Sequence, residues 1–368
     1  MDSSQNKSQT RGTRRKRSIE EGSRATGMHK RRSLRLQYSI SLNIPMEDLD
    51  RTANRLNCYI EMPRQVFSLT YLDADATQNP ESLNCLEELR NKRWQIFLAG
   101  HVYNFNFLPA QLSALAKTLT SALTVGFQKN EMVFQSEVIV ADQFAPTEND
   151  HKALVITVTG STEEKETLLY HGYMLSWCNP AQVTKPLLPL LVCRGNPKYS
   201  TLIHSVLSER FDLTIRPFLL TQEEFMHLST YCLVMLDKND PYSATLTWKI
   251  PSGTIQLSVA LSDLLKLWNK IHKEDSNEVE LDEILLFHEA LEAFYESTYG
   301  IKLGHAHHCS MSVPKCFRLN VNNMVWFRST RILHVTLKYL SHLAVQRLKV
   351  RALNSVNGSC LRASNMTL

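Results

Sequence analysis

The sequence predicts an α+β fold in which mainly antiparallel sheets are flanked by helices. Segments with helical apolar spacing alternate with short β-rich runs along the chain. Residues 244–250 and 254–260 have the pattern of a hairpin, with a proline- and glycine-containing turn at 251–253. The β-rich runs 132–141 and 153–159 suggest a second antiparallel pair. This alternation of helices with hairpins differs from the strand–helix repeat of a doubly wound parallel sheet.

The first predicted elements lie upstream of residue 126. Asn79 as N-cap, Pro80 at the first helical position and an acidic first turn predict the start of a helix. Two strands are expected to meet around Gly100. The elements predicted here are a helix over 46–59, a strand over 67–72, a helix over 79–93, strands over 94–98 and 102–107, and a helix over 109–126.

Capping patterns and alternation predict the later elements. Thr221 and Glu224 form a capping box, and Ser262 or Asp263 is expected to cap a further helix. A charged linker covers 273–280. The remaining predicted elements are strands over 168–177, 213–218, 302–313, 316–321 and 324–327, and helices over 199–211, 221–236, 264–272, 281–298 and 330–350.

Charge divides the chain into a basic arm and a nearly neutral body. Residues 1–37 contain eleven Lys or Arg and three acids, which gives +8, so the rest of the chain is −3 within the total of +5. The low apolar content of residues 1–38 predicts a disordered arm. The rest of the chain is expected to form a single body over 39–350 and a frayed polar tail over 351–368. The basic clusters of the arm are Arg14, Arg15, Lys16, Arg17, Lys30, Arg31 and Arg32. They are typical of nuclear-import signals or phosphate contacts, and equally of a solubilising tail.

Several functional classes receive no support from the sequence. No secretory signal and no run long enough to span a membrane is visible, and the eight cysteines include no C-x-x-C pair. Reduced thiols in the nucleus or cytosol are therefore expected. Phosphate-binding loops, dinucleotide fingerprints, nucleophile elbows and H-E-x-x-H are all absent, so no cofactor is expected.

One short segment contains possible metal ligands. On a strand, His305, His307 and Cys309 would share one face and His308 the other. Three such ligands could hold zinc. No fourth ligand has recognisable spacing, so a solvated or partner-facing histidine strand remains the alternative and no metal site is assigned.

The last predicted helix is amphipathic with a basic face. Its apolar stripe is Leu333, Leu337, Leu340, Ala344 and Leu348. Its other face carries Arg331, His334, Lys338, His342 and Lys349, and Arg328 lies just before the helix. This face could contact phosphates, or it could be an ordinary solvated surface.

From about residue 92 to 348 the chain resembles the centromere protein L family of inner-kinetochore subunits. The residues that carry the resemblance are Lys92-Arg-Trp-Gln-Ile-Phe with Val102-Tyr-Asn-Phe-Asn-Phe, Leu169-Tyr-His-Gly-Tyr, Pro186-Leu-Leu-Pro-Leu, Ala244-Thr-Leu-Thr-Trp-Lys-Ile-Pro, Leu267-Trp-Asn-Lys-Ile-His-Lys and Tyr339-Leu-Ser-His-Leu-Ala. Their order and spacing carry the match more than any single motif does.

The resemblance implies a non-enzymatic protein of curved antiparallel sheets. It implies pairing through C-terminal strands with centromere protein N, other inner-kinetochore partners, and a nuclear location at the centromere. The pair would grip DNA beside the centromeric nucleosome without sequence preference. Family lysines on the strand before the last helix are replaced here by Met324 and Trp326, and Thr167 occupies the place of another, near Lys165. The residues expected to contact DNA are Arg318, Arg328, Arg331, Lys338, Lys349 and Lys165.

Two hypotheses of different class follow. The first is a scaffold subunit whose C-terminal region, about 301–350, faces the partner and DNA. Its expected edge strand presents Phe317, Leu319 and Val321, with Val325 and Phe327 completing the interface. The second is a nucleic-acid-processing enzyme, assisted by a metal at His305, His307 and Cys309. Co-purification with a single partner would favour the first hypothesis, and stoichiometric zinc would favour the second.

Overall fold

A large open sheet organises the part of the chain that the computed structural model describes. The described residues are 37–40, 85–103, 107–128, 132–145, 150–163, 165–177, 187–236, 241–251, 253–272, 279–303 and 306–364, with backbone alone at 37–40, 101 and 350–364. All of them lie in one compact unit, Leu34–Leu368. The predicted arm as far as residue 36, the helix over 46–59 and the strand over 67–72 lie outside the described residues.

The sheet is antiparallel except at one edge. Its strands are β1 (Gln37–Ile40), β2 (Arg93–His101), β3 (Val133–Ala141), β4 (Ala153–Ser161), β5 (Glu166–Leu175), β6 (Leu187–Gly195), β7 (Arg216–Pro217), β8 (Ser243–Ile250), β9 (Gly253–Ala260), β10 (His307–Val313), β11 (Phe317–Asn320) and β12 (Met324–Phe327). Their order is β1-β9-β8-β10-β11-β12-β2-β6-β5-β4-β3, and β7 pairs with β2. Only β1 and β9 pair in parallel among the described strands.

Helices cover the two faces of the sheet unequally. They are α1 (Pro109–Gly126), α2 (Pro197–Phe211), α3 (Gln222–Val234), α4 (Leu261–Ile271), α5 (Leu281–Tyr299) and α6 (Thr330–Ser364). Along β2, Trp94, Ile96 and Leu98 belong to a first core with α3 to α6. Ala99 and the half-buried Phe97 belong to a second core with α1 and α2. Since side chains alternate along a strand, the two cores lie on opposite faces.

The predicted fold class and several of its elements are confirmed. The protein is α+β with a mainly antiparallel sheet. The hairpin of β8 and β9 forms as expected, but its turn is shorter than 251–253, because Gly253 already belongs to β9 and pairs with Ile250. The capping box is complete, because Thr221 Oγ1 accepts the Glu224 N–H and the Glu224 carboxylate accepts the Thr221 N–H. Helices α1 and α5 lie within one residue of their predicted bounds.

Two predictions upstream of α1 are wrong. The helix expected to reach residue 93 is, where described, only a 3-10 turn at Cys85–Glu88. Asn91 then adopts φ 59° and donates its N–H to the Phe327 carbonyl at 2.8 Å, which redirects the chain into β2. The turn expected around Gly100 is absent, because β2 continues through this residue and Gly100 pairs with Leu188. Residues 104–106 of the second expected strand lie outside the described residues. A lone glycine in a run of apolar residues did not make a turn.

Strand β6 was missed because of its proline. Pro189 interrupts the densest apolar run of the sequence, and proline is usually confined to edge strands. Here β6 lies between β2 and β5. The pairing with β5 stops at Leu190, and the register with β2 passes from Leu190 to Leu188. Pro189, which has no N–H to donate, therefore lies at a position that is not paired with either neighbouring strand.

Three boundaries also differ. The strand expected over 213–218 is reduced to the two residues of β7. Helix α4 begins at Leu261 after Ala260, and neither Ser262 nor Asp263 is its N-cap. The helix expected to end at residue 350 has helical backbone to Ser364, because the polar tail contains no proline and its first glycine is Gly358.

Candidate nucleic-acid interface

One face of the sheet is left open by the described helices. On this face, helices α1 and α2 pack only over β2, β6, β5, β4 and β3, whose side chains form the second core with them. Beyond β2, the same face continues over β12, β11, β10, β8 and β9, whose opposite face is closed by the first core. We call this surface the open face. It consists of the side chains of β12, β11, β10, β8 and β9 that point away from the first core, together with Arg93 and Gln95 of β2.

A transverse row of neighbouring side chains crosses the open face. Arg93 pairs with Trp326, and Trp326 pairs with Arg318. The row continues from Arg318 to Ser312 and from Ser312 to Thr245. Directly opposite residues have Cβ atoms about 4.5–5.5 Å apart. Both arginines are exposed and Trp326 is half-buried between them, so two cations flank an aromatic ring on the open face.

A second row runs parallel to the first and carries no charge. It consists of Gln95, Met324, Asn320, Ser310 and Thr247. Met324 is 40% exposed, while Thr247 is buried. The amide and hydroxyl groups of the half-buried Gln95, Asn320 and Ser310 can hydrogen-bond phosphate and sugar oxygens without reading base sequence.

The open face contains no acidic residue on its strands. The segments of β2, β8, β9, β10, β11 and β12 include no Asp or Glu. Their basic residues on this face are Arg93, Arg318 and Lys249, and all three are exposed. Because the body of the protein is slightly acidic in total, this segregation makes the open face a local positive surface.

Lys249 extends the positive surface toward the edge of the sheet. It pairs across the strands with His307, which is also exposed. Its ammonium group partly offsets the effect of burial, which raises the pKa of the neighbouring Cys309 thiol. The basic residues of the open face thus run from β2, through β11, to the far end of β8.

The structure separates the six residues predicted to contact DNA. Arg318 lies on the open face. Arg328 and Arg331 are exposed where the chain passes from β12 into α6, and the Arg328 N–H donates to the Cys316 carbonyl at 2.9 Å. Helix α6 packs in the first core, so Lys338 and Lys349 lie on the other side of the sheet from Arg318.

Lys165 is distant from this group along the sheet. It is exposed in the turn between β4 and β5, where its carbonyl accepts the Thr162 N–H at 3.0 Å. In the sheet order, β12, β2 and β6 lie between these strands and β11. Lys165 is therefore placed apart from the basic residues of the open face.

The expected interface strand is not an edge. Strand β11 pairs with β10 on one side and β12 on the other. Phe317 and Leu319 are 0% and 1% exposed, and Val325 and Phe327 are buried beside them, while Val321 is half-buried. The edge argument for these five residues is wrong, because β2 completes the sheet next to β12. Their alternating apolar pattern reflects the core of the subunit.

The side chains of the histidine-rich segment do not alternate regularly between the two faces of the sheet in the way that the sequence had suggested. The register between β10 and β8 shifts from His308 to Ser310, so Cys309 occupies a bulge and its thiol donates to the Thr247 carbonyl. His305 lies outside the described residues. No group of three or more His, Cys, Asp or Glu side chains within the described ranges is arranged to hold a metal ion.

His308 belongs to the core. Its ring stacks on Trp248 with centroids 4.8 Å apart. Burial and the neighbouring His288 hold the pKa of His308 well below its ordinary value, so the ring is neutral at physiological pH. The expectation that it faces away from His307 is confirmed in the sense that it is buried and His307 is exposed.

Helix α6 is more buried than its sequence suggested. The predicted stripe packs in the first core, with Leu348 only partly buried. His334, assigned to the basic solvated face, is instead buried and packs against Trp177 at 5.1 Å between centroids. His342 and Lys349 remain exposed. The helix needs a wider buried face than one stripe because it contacts β6, β12, α3 and the 3-10 turn at Cys85–Glu88.

Sequence reasoning missed three members of the open face: Arg93, Trp326 and Lys249. Each alternates with a buried neighbour on its strand, and no acid interrupts these strands. That shared absence of acids was visible in the sequence. The strand order that brings Arg93 beside Trp326 was not, because the two residues are distant along the chain.

Comparison with models of known families identifies the family of the chain. A family model described as Centromere protein L matches residues 88–320, well over half of the chain. The chain belongs to the centromere protein L family. This family consists of structural proteins of the inner kinetochore, so the chain has an inner-kinetochore role at centromeric chromatin. No curated protein matches the chain.

The match places part of the candidate interface inside the family region. Arg93, Lys249 and Arg318 lie within the matched residues, whereas β12 and α6 follow them. Among the described helices of this family member, none has the length and apolar character needed to cross a membrane.

Proposed function

We propose that this centromere protein L family member is a non-catalytic subunit that contributes a DNA-binding wall to a heterodimer. Its partner would be a centromere protein N-like subunit, which supplies the facing wall. The complex would hold the linker DNA of the centromeric nucleosome, in the nucleus and together with other inner-kinetochore subunits. The observation that carries the DNA-binding part is the row Arg93–Trp326–Arg318 on the acid-free open face.

The chemistry of this row suits the DNA backbone better than base edges. Guanidinium groups pair with phosphate oxygens, and arginine side chains hold their charge at any physiological pH. Phosphate contacts fix position but do not distinguish sequences. The neighbouring amides and hydroxyls of the second row add further donors to phosphate and sugar. Binding is therefore expected to be sequence-independent and strongly dependent on salt.

The order of the C-terminal strands leaves a role for the partner. Since Phe317, Leu319, Val325 and Phe327 are buried in the subunit itself, pairing must use other surfaces of the region 301–350. Met324 is exposed beside the half-buried Trp326 and lies on the open face. A partner that packs against Met324, beside the Arg93–Trp326–Arg318 row, would narrow the open face into a channel and leave Arg318 and Arg328 along its wall.

The test is the salt dependence of duplex binding. The double variant Arg93→Glu/Arg318→Glu is compared with the parent chain, each co-expressed with a centromere protein N homologue, on several unrelated duplexes by fluorescence anisotropy. Each phosphate contact contributes about −0.9 to the slope of log K against log salt, so the slope should become shallower by about two units if both residues touch phosphate. The loss should be similar for all duplexes.

A control variant makes the same change of charge elsewhere. Lys266 and Lys270 are exposed on α4, which packs on the first-core side of the sheet. Lys266→Glu/Lys270→Glu should leave the slope nearly unchanged. An Arg93→Glu/Arg318→Glu heterodimer that is folded and paired but keeps the parent slope would remove the open face from DNA binding.

A further inference from the structure

The sheet ends in an unusually regular edge at β3. All nine residues of this strand pair with β4, from Val133 opposite Ser161 to Ala141 opposite Ala153, without a shift of register. No described strand pairs with its other side. By contrast, β9 near the other end of the sheet is followed by the parallel strand β1. Among the described residues, the outward amides and carbonyls of β3 therefore form a long row of hydrogen-bonding groups without a strand partner.

Apart from one charged residue, Glu137, this edge lacks the features by which proteins usually prevent strand addition. Native edges are commonly protected by proline, lysine, a bulge or a short strand. Strand β3 contains no proline and no basic residue, and its pairing is unbroken. At nine residues it is longer than the usual strand of about five or six. An edge of this length with a single charged residue is a template for the addition of another strand.

The side chains of β3 define two surfaces for an incoming strand. On one face Phe134 and Val138 are buried under α1. On the other face Val133 is 72% exposed and Ile139 is 47% exposed. Leu168 of β5 adds a further 42% exposed side chain on the sheet behind them. Two branched apolar side chains are thus presented near the two ends of the edge.

The centre of the edge is polar. Gln135 and Glu137 are exposed between the two apolar side chains, and Glu137 is the only charged residue of β3. On the opposite face, the hydroxyl of Ser136 is enclosed and has no hydrogen-bond partner among the described residues. A buried hydroxyl without a partner is unfavourable. A neighbouring strand could supply that partner from a side chain opposite Ser136.

We propose that β3 accepts an extended segment of another protein as an additional antiparallel strand. The segment would carry a lysine or arginine opposite Glu137 and branched apolar residues opposite Val133 and Ile139, with a hydroxyl-bearing residue opposite Ser136. Main-chain hydrogen bonds would supply affinity, and these alternate side chains would supply specificity. The site is independent of the open face, since it lies at the other end of the sheet order.

Charge argues for a different chain as the occupant and against a second copy of this one. A twofold pairing of two β3 strands centred on the strand would set Glu137 against Glu137. Like charges directly opposite each other are destabilising, whereas opposite charges are favourable. Glu137 therefore acts against self-association and selects a basic residue in the partner segment.

A designed peptide provides the probe. It has nine residues, the length of β3, with isoleucine, lysine, glutamine and valine at the positions opposite Ile139, Glu137, Gln135 and Val133 and threonine elsewhere. Binding of the fluorescein-labelled peptide to the full chain is measured by anisotropy, and hydrogen exchange is followed with and without the peptide. We expect saturable binding and new protection confined to amides of Val133–Ala141, since those of β4 are already paired on both sides.

Charge exchange tests the specific part of the proposal. Glu137→Lys should weaken binding of the lysine peptide about three- to tenfold, as expected when a cross-strand attraction becomes a repulsion. It should restore binding to a peptide with glutamate at the central position. Val133→Lys should also weaken binding, whereas Thr159→Lys on β4, the matched control one strand inward, should not. A peptide with proline at two central positions should not bind.

Four outcomes would overturn the proposal. They are no binding by the lysine peptide, binding that survives the prolines, failure of the charge exchange on folded protein, and protection outside β3. Sedimentation of the chain alone shows whether a second copy of the chain occupies the edge instead. A dimer that is dissociated by Val133→Lys would show that the edge pairs with a second copy and would contradict the assignment of a heterologous strand.

Discussion

Replacing Leu319 tests whether β11 belongs to the core or to a partner interface. Leu319 is 1% exposed and pairs with Met311 on one side and Val325 on the other, both of which are buried. Truncation to alanine removes buried methyl groups and leaves a cavity, which together cost about 2–5 kcal/mol. The free energy of unfolding of the isolated chain should fall by that amount.

Leu319→Asp is the sharper perturbation. A carboxylate placed at this position has no partner and would have to be desolvated or protonated, at a cost of several kcal/mol. This is comparable with the whole stability of an ordinary domain, about 5–15 kcal/mol. The isolated Leu319→Asp chain is therefore expected to be largely unfolded by far-UV circular dichroism, before any partner is added.

The matched control is the next residue on the strand. Arg318 is exposed on the open face, so Arg318→Ala should change the free energy of unfolding of the isolated chain by no more than about 0.5 kcal/mol. Urea unfolding followed by circular dichroism measures all three variants. If the Leu319→Asp chain unfolds at the parent midpoint and loses only partner binding, then β11 is accessible in the free subunit and the assignment of Leu319 to the core is wrong.

Three further predictions concern stability and the arm. Burial lowers the pKa values of His204, His227 and His288 to about 4, below the ordinary 6.5, so the unfolded chain binds more protons between these values. The urea midpoint should therefore be highest above about pH 6.5 and fall as the pH is lowered toward 4. Thr221→Ala removes one half of the capping box and should cost about 1 kcal/mol, whereas Thr221→Ser should restore most of it in the same assay. Deleting residues 1–36, which carry eleven basic and three acidic residues, should leave the thermal midpoint unchanged while weakening retention on heparin or DNA at low salt.

Local patterns in the sequence were sufficient for most elements but not for their order. The capping box at Thr221, the hairpin of β8 and β9 and the apolar stripe of α6 each depend on residues a few positions apart. The position of β12 depends instead on β2. Asn323 accepts the Ile96 N–H and donates its side-chain amide to the Ile96 carbonyl, across 227 residues of sequence. Nothing near β11 or β12 indicates this pairing.

The error about the interface follows from that missing long-range contact. An alternating strand near the C-terminus has the same local pattern whether it is an edge or an interior strand, because in both cases one face is apolar. Phe317 and Leu319 were therefore interpreted as a surface for a partner, whereas β10 and β12 enclose them. The edge that has no neighbour among the described strands, β3, carries a similar alternation of Phe134 and Val138 with exposed residues.

The same topology also limits which basic residues one duplex can contact. Arg93 and Arg318 face one side of the sheet, and α6 packs against the other, so the sheet itself lies between Arg318 and the helix residues Lys338 and Lys349. Arg328 and Arg331 lie where the chain crosses from one side to the other. A duplex on the open face could reach these two arginines at its margin, but contact with Lys349 would require it to bend around the end of the sheet. Lys349→Glu should consequently leave the salt slope of binding to short duplexes unchanged, and a slope reduced as much as in the Arg93→Glu/Arg318→Glu variant would place the DNA on the α6 side.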